Sequence, residues 1–348
     1  MKKEEKIKIG ISVGDLNGIG TEVILKTFQD PRMLELCTPI IFGSTKILSL
    51  QKKHFDIQAN FHGIPSADNA QHGKINVVNI WKESMEIEYG TSSEEAGRFA
   101  IESFVEATNA LKEGTVDILV TAPINKHNVQ SENFKFPGHT DYLGQTLEGD
   151  SLMLMVNGSL RVGLLTDHVA VKDVSAAITP ELIKKKVDII YHTLQQDFGI
   201  SKPKIAVLGI NPHVGDNGVI GVEDDEILKP TLEKIKISGK LVFGPYAADS
   251  FFASSNYKNF DAILAAYHDQ GLIPFKTLSF GQGVNFTAGL NKIRTSPDHG
   301  TAYEIAGKNE ADPNSFKEAV FTGIQIFKNR NMYDEITKNP LKKQSSKI

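Results

Sequence analysis

Short apolar, β-branched runs recur along this chain. Each stops at a cluster of glycine or polar residues, and a segment of helical period follows. Ile7–Val13 alternates, breaks at Gly14-Asp15-Leu16-Asn17-Gly18-Ile19-Gly20 and gives way to the helix-like Thr21–Phe28. Pro39–Phe42 with Gly43-Ser44 repeats the pattern, Val116–Ala122 ends at Pro123-Ile124-Asn125-Lys126, and Lys204–Ile210 ends at Asn211-Pro212-His213. Leu241–Phe243 runs into Gly244-Pro245-Tyr246-Ala247-Ala248-Asp249, and Ala262–Ala266 ends at Tyr267-His268-Asp269-Gln270-Gly271. Strands alternating with helices throughout imply an α/β fold. In open α/β sheets, polar side chains just past a buried strand are the usual material of sites.

The helices carry their own signals. Ser92-x-x-Glu95 reads as a capping box, and Ala96, Phe99, Ala100, Phe104, Ala107 and Leu111 behind it define an amphipathic helix over 92–112. Thr179-Pro180 supplies a cap and a first-turn proline for a helix to about Gln196, in which His192 faces solvent. Glu223-Asp224-Asp225-Glu226 opens another helix, where acids complement the dipole and call for no functional role. A C-terminal helix is expected over Ser315–Phe327, and Lys342–Ile348 reads as a frayed polar tail. Leu152–Val156 and Leu160–Leu165 flank Asn157-Gly158, the signature of a type I′ hairpin turn. Residues 52–90 lack a strong period and read as short strands and loops, with His54, His62 and His72 as solvated loop residues.

The first glycine-rich turn, ahead of a helix, suggests either an anion or cofactor at the helix N-terminus or a purely structural turn. Its spacing is not G-x-G-x-x-G, and no G-x-x-x-x-G-K-[ST] occurs in the chain, so neither a dinucleotide fingerprint nor a P-loop is present. With 348 residues and 40% hydrophobic content the chain can bury an ample core, in two domains or one large one. A formal net charge of -4 gives no electrostatic reason to expect nucleic acid or an anionic membrane as partner. Cys37 is the single cysteine, which excludes an intrachain disulfide. The first residues lack the apolar core of a secretion signal and no apolar run is long enough to span a bilayer, so a cytoplasmic protein is expected.

His168, His213 and His268 share a context: each stands within three residues of the end of an apolar strand. Strand ends far apart in sequence converge on one sheet edge. Three imidazoles with an open position would make a catalytic centre for Zn²⁺ or Co²⁺ in preference to Mg²⁺; three unrelated polar histidines fit the pattern equally. From Asp261 to Ala302 a polar loop reading also holds, in which Lys276, Asn285 and Arg294 appear between glycines ahead of Asp298-His299-Gly300-Thr301-Ala302.

Taken in order, these motifs resemble one family across nearly the whole chain. Gly14, Asp15, Gly18, Ile19, Gly20 and Glu22 (GDxxGIGxE), TAPINK at 121–126, GHT at 138–140, NPHxGDxG at 211–218, GPxxAD at 244–249, YHDQGLxPxK at 267–276 and IRTSxDHGTA at 293–302 closely resemble the 4-hydroxythreonine-4-phosphate dehydrogenases of vitamin B6 (pyridoxal phosphate) biosynthesis. The first and last motifs are also similar to those of isocitrate and isopropylmalate dehydrogenases. Asp167 before His168, Leu16-Asn17 in the first loop and Asn285-Phe286-Thr287-Ala288-Gly289 depart from the family's usual residues.

The resemblance implies two α/β/α domains with a cleft between them. One is discontinuous, over 1–135 and 281–348; the other, over 136–280, carries most metal ligands and dimer contacts. It implies a homodimer with its active site near the interface, a divalent metal (Zn, Co or Mg) on His168, His213 and His268, and phosphorylated substrate on His139, Thr140, Lys276, Asn285 and Arg294. NAD or NADP would bind without a Rossmann fingerprint, near His299, Gly300 and Thr301. Asp249 and Asp269 are candidates for the general base, and either could instead orient a ligand histidine; for Asp269, next to His268, the orienting role is favoured. The implied reaction is oxidation of 4-phosphohydroxy-L-threonine to a β-keto acid that decarboxylates to 3-amino-2-oxopropyl phosphate. A D-threonate or D-erythronate 4-phosphate dehydrogenase is the near alternative. A metal-dependent hydrolase or lyase, or a non-catalytic sensor of a phosphorylated ligand, is the alternative of another class.

Overall fold

The computed structural model describes residues 6–83, 85–131 and 134–339; the polar tail expected over 342–348 lies outside them. Twelve strands form one sheet: β1 (Lys8–Ser12), β2 (Thr38–Gly43), β3 (Phe61–Ile64), β4 (Ile75–Asn79), β5 (Ile118–Thr121), β6 (Gly149–Asn157), β7 (Leu160–Leu164), β8 (Lys204–Leu208), β9 (Leu241–Tyr246), β10 (Ala262–Ala265), β11 (Val284–Leu290) and β12 (Ile293–Pro297). Their spatial order is β3-β4-β2-β1-β5-β12-β11-β6-β7-β10-β8-β9. The two flanks are parallel, whereas β12-β11-β6-β7 in the middle pair antiparallel. Helices between most successive strands make the protein α/β, as expected.

The inner flanking strands, such as β2, β5 and β10, are continuous buried runs, as expected of parallel strands covered on both faces. All six residues of β2 are buried. On one face lies the helix Glu94–Glu113, whose Ala96, Phe99, Ala100, Phe104, Ala107 and Leu111 are buried at helical spacing. Fully buried side chains such as Phe99 and Phe104 each contribute on the order of 2–3 kcal/mol. Among the described residues no helix is long and apolar enough to cross a membrane.

Several local expectations shift. The helix over 92–112 is capped one residue later: Ser93 accepts from Ala96 N, while Ser92 Oγ accepts from Asn125 Nδ2. In the hairpin, Asn157 pairs with Leu160 and belongs to β6, so Gly158-Ser159 makes the turn, and only Gly158 takes a positive φ (+54°). That excludes type I′, which needs positive φ at both central residues. His54 ends the helix Thr45–His54, stacks on Tyr89 and has Nε2 2.8 Å from Gly307 O, and His62 lies in β3; neither is a loop residue. The C-terminal helix runs over Asn314–Thr337 and is pinned by Arg330, whose Nε donates to buried Asp197 at 2.6 Å.

The largest local departure is the helix His268–Ser279, where a polar loop was one expected reading. Gly271 and Pro274 argue against helix by propensity. Packing overrides that: a Cβ on Gly271 would lie 2.9–3.0 Å from Leu164, Ala265 and Val162, so the glycine allows the helix to press onto β7 and β10. Gln270, one turn before Pro274, fixes the helix start by accepting from Ala266 N and donating to Gly209 O, each at 2.7 Å.

Candidate active site

One cleft runs above β5, β12, β11 and β6, where the parallel flanks meet the antiparallel middle. It is lined by His139, Thr140, His168, His268, Lys276, Asn285, Arg294, His299 and Gly300, which gathers most of the sequence-predicted site residues. His213 and Asp249 stand apart, in an adjoining pocket with Asn211, Tyr267 and Gln270. Asp269 is exposed beside His268, and Thr301 turns towards the first glycine-rich loop.

Arg294 is the fixed point of the cleft floor. It sits in the middle of β12, 2% exposed, and its guanidinium donates to Thr121 Oγ1 at 2.6 and 3.1 Å and to Thr287 Oγ1 at 3.2 Å. A third contact joins Nη2 to His139 Nδ1 at 3.1 Å. All these partners are neutral, and burial pulls the guanidinium down to about 9. A buried cation without an anionic partner is costly and invites an anion with matching bidentate geometry. His139 is held well below the usual imidazole range, first by burial and then by the charges of Arg294 and Lys126, so it is neutral and offers a lone pair to Arg294. His139 Nε2 and Asn285 Oδ1 are buried and have no protein partner. Lys276, on the helix that begins at His268, donates to Asp298 O at 3.0 Å and adds a second positive charge.

At the other side of the cleft the rings of His168 and His268 lie 6.1 Å apart. Burial and then Lys126 hold His168 below the usual imidazole range, which keeps it in the ligand form. His268 Nδ1 lies 2.7 Å from Asp269 Oδ1, leaving Nε2 for a ligand; this is how second carboxylates orient metal-binding imidazoles. The donor chemistry of this pair therefore fits a divalent metal. Within the single chain the third histidine does not join it: among the described residues no three of His, Cys, Asp and Glu stand close enough to hold an ion.

His213 rides on an unusual loop. His213, Val214, Gly215, Asp216, Asn217 and Gly218 all have positive φ, and for β-branched Val214 (+58°) that conformation is strained. Asp224 holds the loop in place: its fully buried carboxylate accepts from Ile210 N at 2.8 Å, Asn211 N at 2.9 Å and Asn211 Nδ2 at 3.2 Å. Glu223 accepts from Asn211 Nδ2 and Ser175 Oγ, both at 2.8 Å. The acidic run thus does more than complement a helix dipole, which corrects the sequence reading.

The first glycine-rich loop follows the structural one of its two expected readings. Residues 14–25 are buried throughout, and Ile19 N, at the start of the helix Gly20–Phe28, donates to Thr301 O at 3.0 Å. That N–H is already taken up by the protein's own carbonyl. Asp15 instead ties three loops together, accepting from Asn17 N (2.9 Å), Asn128 Nδ2 (2.8 Å) and Tyr303 OH (2.7 Å). His299 and Gly300, next to Thr301, remain in the cleft.

Sequence reasoning singled out neither Thr121 nor Lys126 as site residues, although both lie in the quoted TAPINK motif. Their signal was close to that of the histidines: Thr121 is the polar last residue of a buried strand and Lys126 stands in the loop that follows it.

The fold and the anion-seeking cleft define an α/β enzyme for a small anionic substrate. The family described as "Pyridoxal phosphate biosynthetic protein PdxA" matches residues 35–323, and the chain belongs to that family. A 4-hydroxythreonine-4-phosphate dehydrogenase of Bacteroides thetaiotaomicron is 49% identical over 98% of this chain and 94% of its own length. A D-threonate 4-phosphate dehydrogenase of Cupriavidus necator is 36% identical over 91% and 96%. The crystal structure of a 4-hydroxythreonine-4-phosphate dehydrogenase from Burkholderia phymatum superposes with a TM-score of 0.76, at 34% identity over 93% of this chain and 99% of that one.

Proposed function

We propose that this protein oxidises 4-phosphohydroxy-L-threonine with NAD or NADP to a β-keto acid that decarboxylates to 3-amino-2-oxopropyl phosphate, in pyridoxal phosphate biosynthesis. The observation that carries this reading is buried Arg294, bonded only to neutral groups in a cleft it shares with Lys276, Asn285, His139 and Thr140. These residues hold the substrate's phosphate. Neutral His139 accepts from the guanidinium and keeps the fork aimed into the cleft. The 49% identity to a relative of that name, against 36% for one named for D-threonate 4-phosphate, favours the amino acid as substrate.

His168, His213 and His268 would hold a divalent metal (Zn, Co or Mg), with Asp269 orienting His268. A bound metal would supply Lewis acidity at the substrate's secondary hydroxyl, and a bound nicotinamide would supply the hydride acceptor. His299, Gly300 and Thr301 would form the cofactor loop, with Thr301 anchored to Ile19 and His299 and Gly300 left open to the cleft. Asp249, beside His213, is the remaining candidate for the general base.

The assembly is a homodimer of two-lobed subunits, one lobe from 1–135 and 281–348 and the other from 136–280. Exposed Val171 (81%), Val219 (81%) and Ile273 (63%) flank the three histidine segments. Burying such side chains between copies favours association. The same contact would bring His213 of one protomer towards a histidine pair.

NADH or NADPH formation with 4-phosphohydroxy-L-threonine and with D-threonate 4-phosphate, each in the metal-loaded protein, tests the reaction. Turnover of the amino acid alone is expected, and turnover of D-threonate 4-phosphate alone refutes the choice of substrate. In His213→Ala, metal content by elemental analysis should fall to background while circular dichroism stays unchanged. Full metal retention would remove His213 from the ligand set.

A further inference from the structure

We infer that Lys126 is a substrate-binding residue, and that its ammonium holds the carboxylate which the reaction later releases. The inference rests on the substrate proposed above, which carries two anionic groups on either side of the carbon to be oxidised. Three permanent cations line the cleft: Arg294, Lys276 and Lys126. The first two have settled partners. Arg294 is fixed by two threonines and His139, and Lys276 by Asp298 O. Lys126 has no ion pair among the described residues; its Nζ points at His168 Nε2, 3.3 Å away.

That contact is a poor end state for an ammonium, because a neutral imidazole nitrogen offers one lone pair and no charge. The same lone pair is the one His168 would give to a metal, so ligation there sends the ammonium back into the cleft. Lys126 lines the same cleft as His139 and Arg294 and touches His168, so it stands within reach of both the phosphate floor and the histidine pair.

Substrate geometry selects the carboxylate. With the hydroxyl at His168 and His268 and the phosphate on Arg294, Lys276, His139, Thr140 and Asn285, the remaining anion lies on the far side of the reacting carbon. Lys126, on the exposed loop after β5, is the cation left to meet it. An ammonium on a flexible stem is a point charge that follows a planar group which must later depart, whereas a buried guanidinium fork suits the end that stays.

The test is calorimetry of the metal-loaded wild-type protein and its Lys126→Ala and Lys126→Arg variants. The ligands are 4-phosphohydroxy-L-threonine and the same molecule without its carboxylate, 3-amino-2-hydroxypropyl phosphate. A charge-assisted hydrogen bond predicts that the wild type prefers the carboxylate-bearing ligand by about tenfold. Lys126→Ala should lose that preference without weakening binding of the analogue, and Lys126→Arg should keep much of it. Lys126→Ala that retains the wild-type preference, or that weakens both ligands equally, overturns the inference while leaving the substrate assignment standing. A wild type that binds neither ligand overturns the substrate assignment itself.

Discussion

Two glycine-rich loops follow strands of this sheet, one after β1 (residues 14–20) and one after β8 (211–218), and they do opposite things. Each is organised by one fully buried carboxylate, Asp15 in the first and Asp224 in the neighbourhood of the second. The first loop is sealed beneath Thr301 and Tyr303, and its glycines serve close backbone approach. A Cβ on Gly14 would fall 2.4 Å from Pro123 O, and one on Gly18 would fall 2.8 Å from Thr301 O. The second loop stands open with six successive residues of positive φ and presents His213 to a pocket. Glycine density therefore marks tight backbone in both places, and what covers the loop separates a joint from a site.

Three measurements press on that contrast. The largest effect is expected in Asp15→Ala, which strands the donors of Asn128 and Tyr303 in the interior. Urea unfolding should show a loss of about 3 kcal/mol, and an unchanged midpoint would mean that the first loop is not a joint. Asp224→Asn should cost less stability, about 1–2 kcal/mol, because the amide keeps one acceptor. Its signature should be a metal affinity lower by about tenfold, as for loss of an outer-shell partner. Equal metal affinity in Asp224→Asn and wild type would break the proposed link between that carboxylate and His213. The smallest effects come from a matched pair around Thr301. Gly18→Ala should cost about 1–2 kcal/mol from overpacking, whereas Gly300→Ala, whose Cβ meets nothing within 4 Å, should stay within about 0.5 kcal/mol. Thermal melts in which the two variants coincide would show that Gly18 is not closely packed.

Much of the architecture was legible because strand and helix periods are local properties. Val116–Ala122 and Ala262–Ala266 were recognisable from their own residues, and the polar groups after them pointed to the cleft. The order of strands was not, since β12 joins β5 through contacts between residues well over a hundred positions apart. The helix from His268 was hidden by Gly271 and Pro274, whose poor propensity is outweighed by contacts with Leu164 and Val162 that the local sequence does not announce. The first glycine turn stayed open between two readings because a strand, a glycine turn and a helix are shared by anion sites and by closed joints. Lys126 lay in a quoted motif, yet its approach to His168 depends on a fold that brings 126 and 168 together.

The hydrogen bonding that runs from β5 through β12 and β11 to β6 gives the cleft a stiff floor. A sheet bonded across its whole width behaves as a beam: it can twist, but it cannot fold along a crease without breaking a ladder. Arg294 and Asn285 are rooted in that beam and keep their spacing whatever happens above them. Lys126, His168 and Lys276 stand on loops and a helix over it, so any tightening of the mouth around a substrate must be a movement of these uprights against a fixed base.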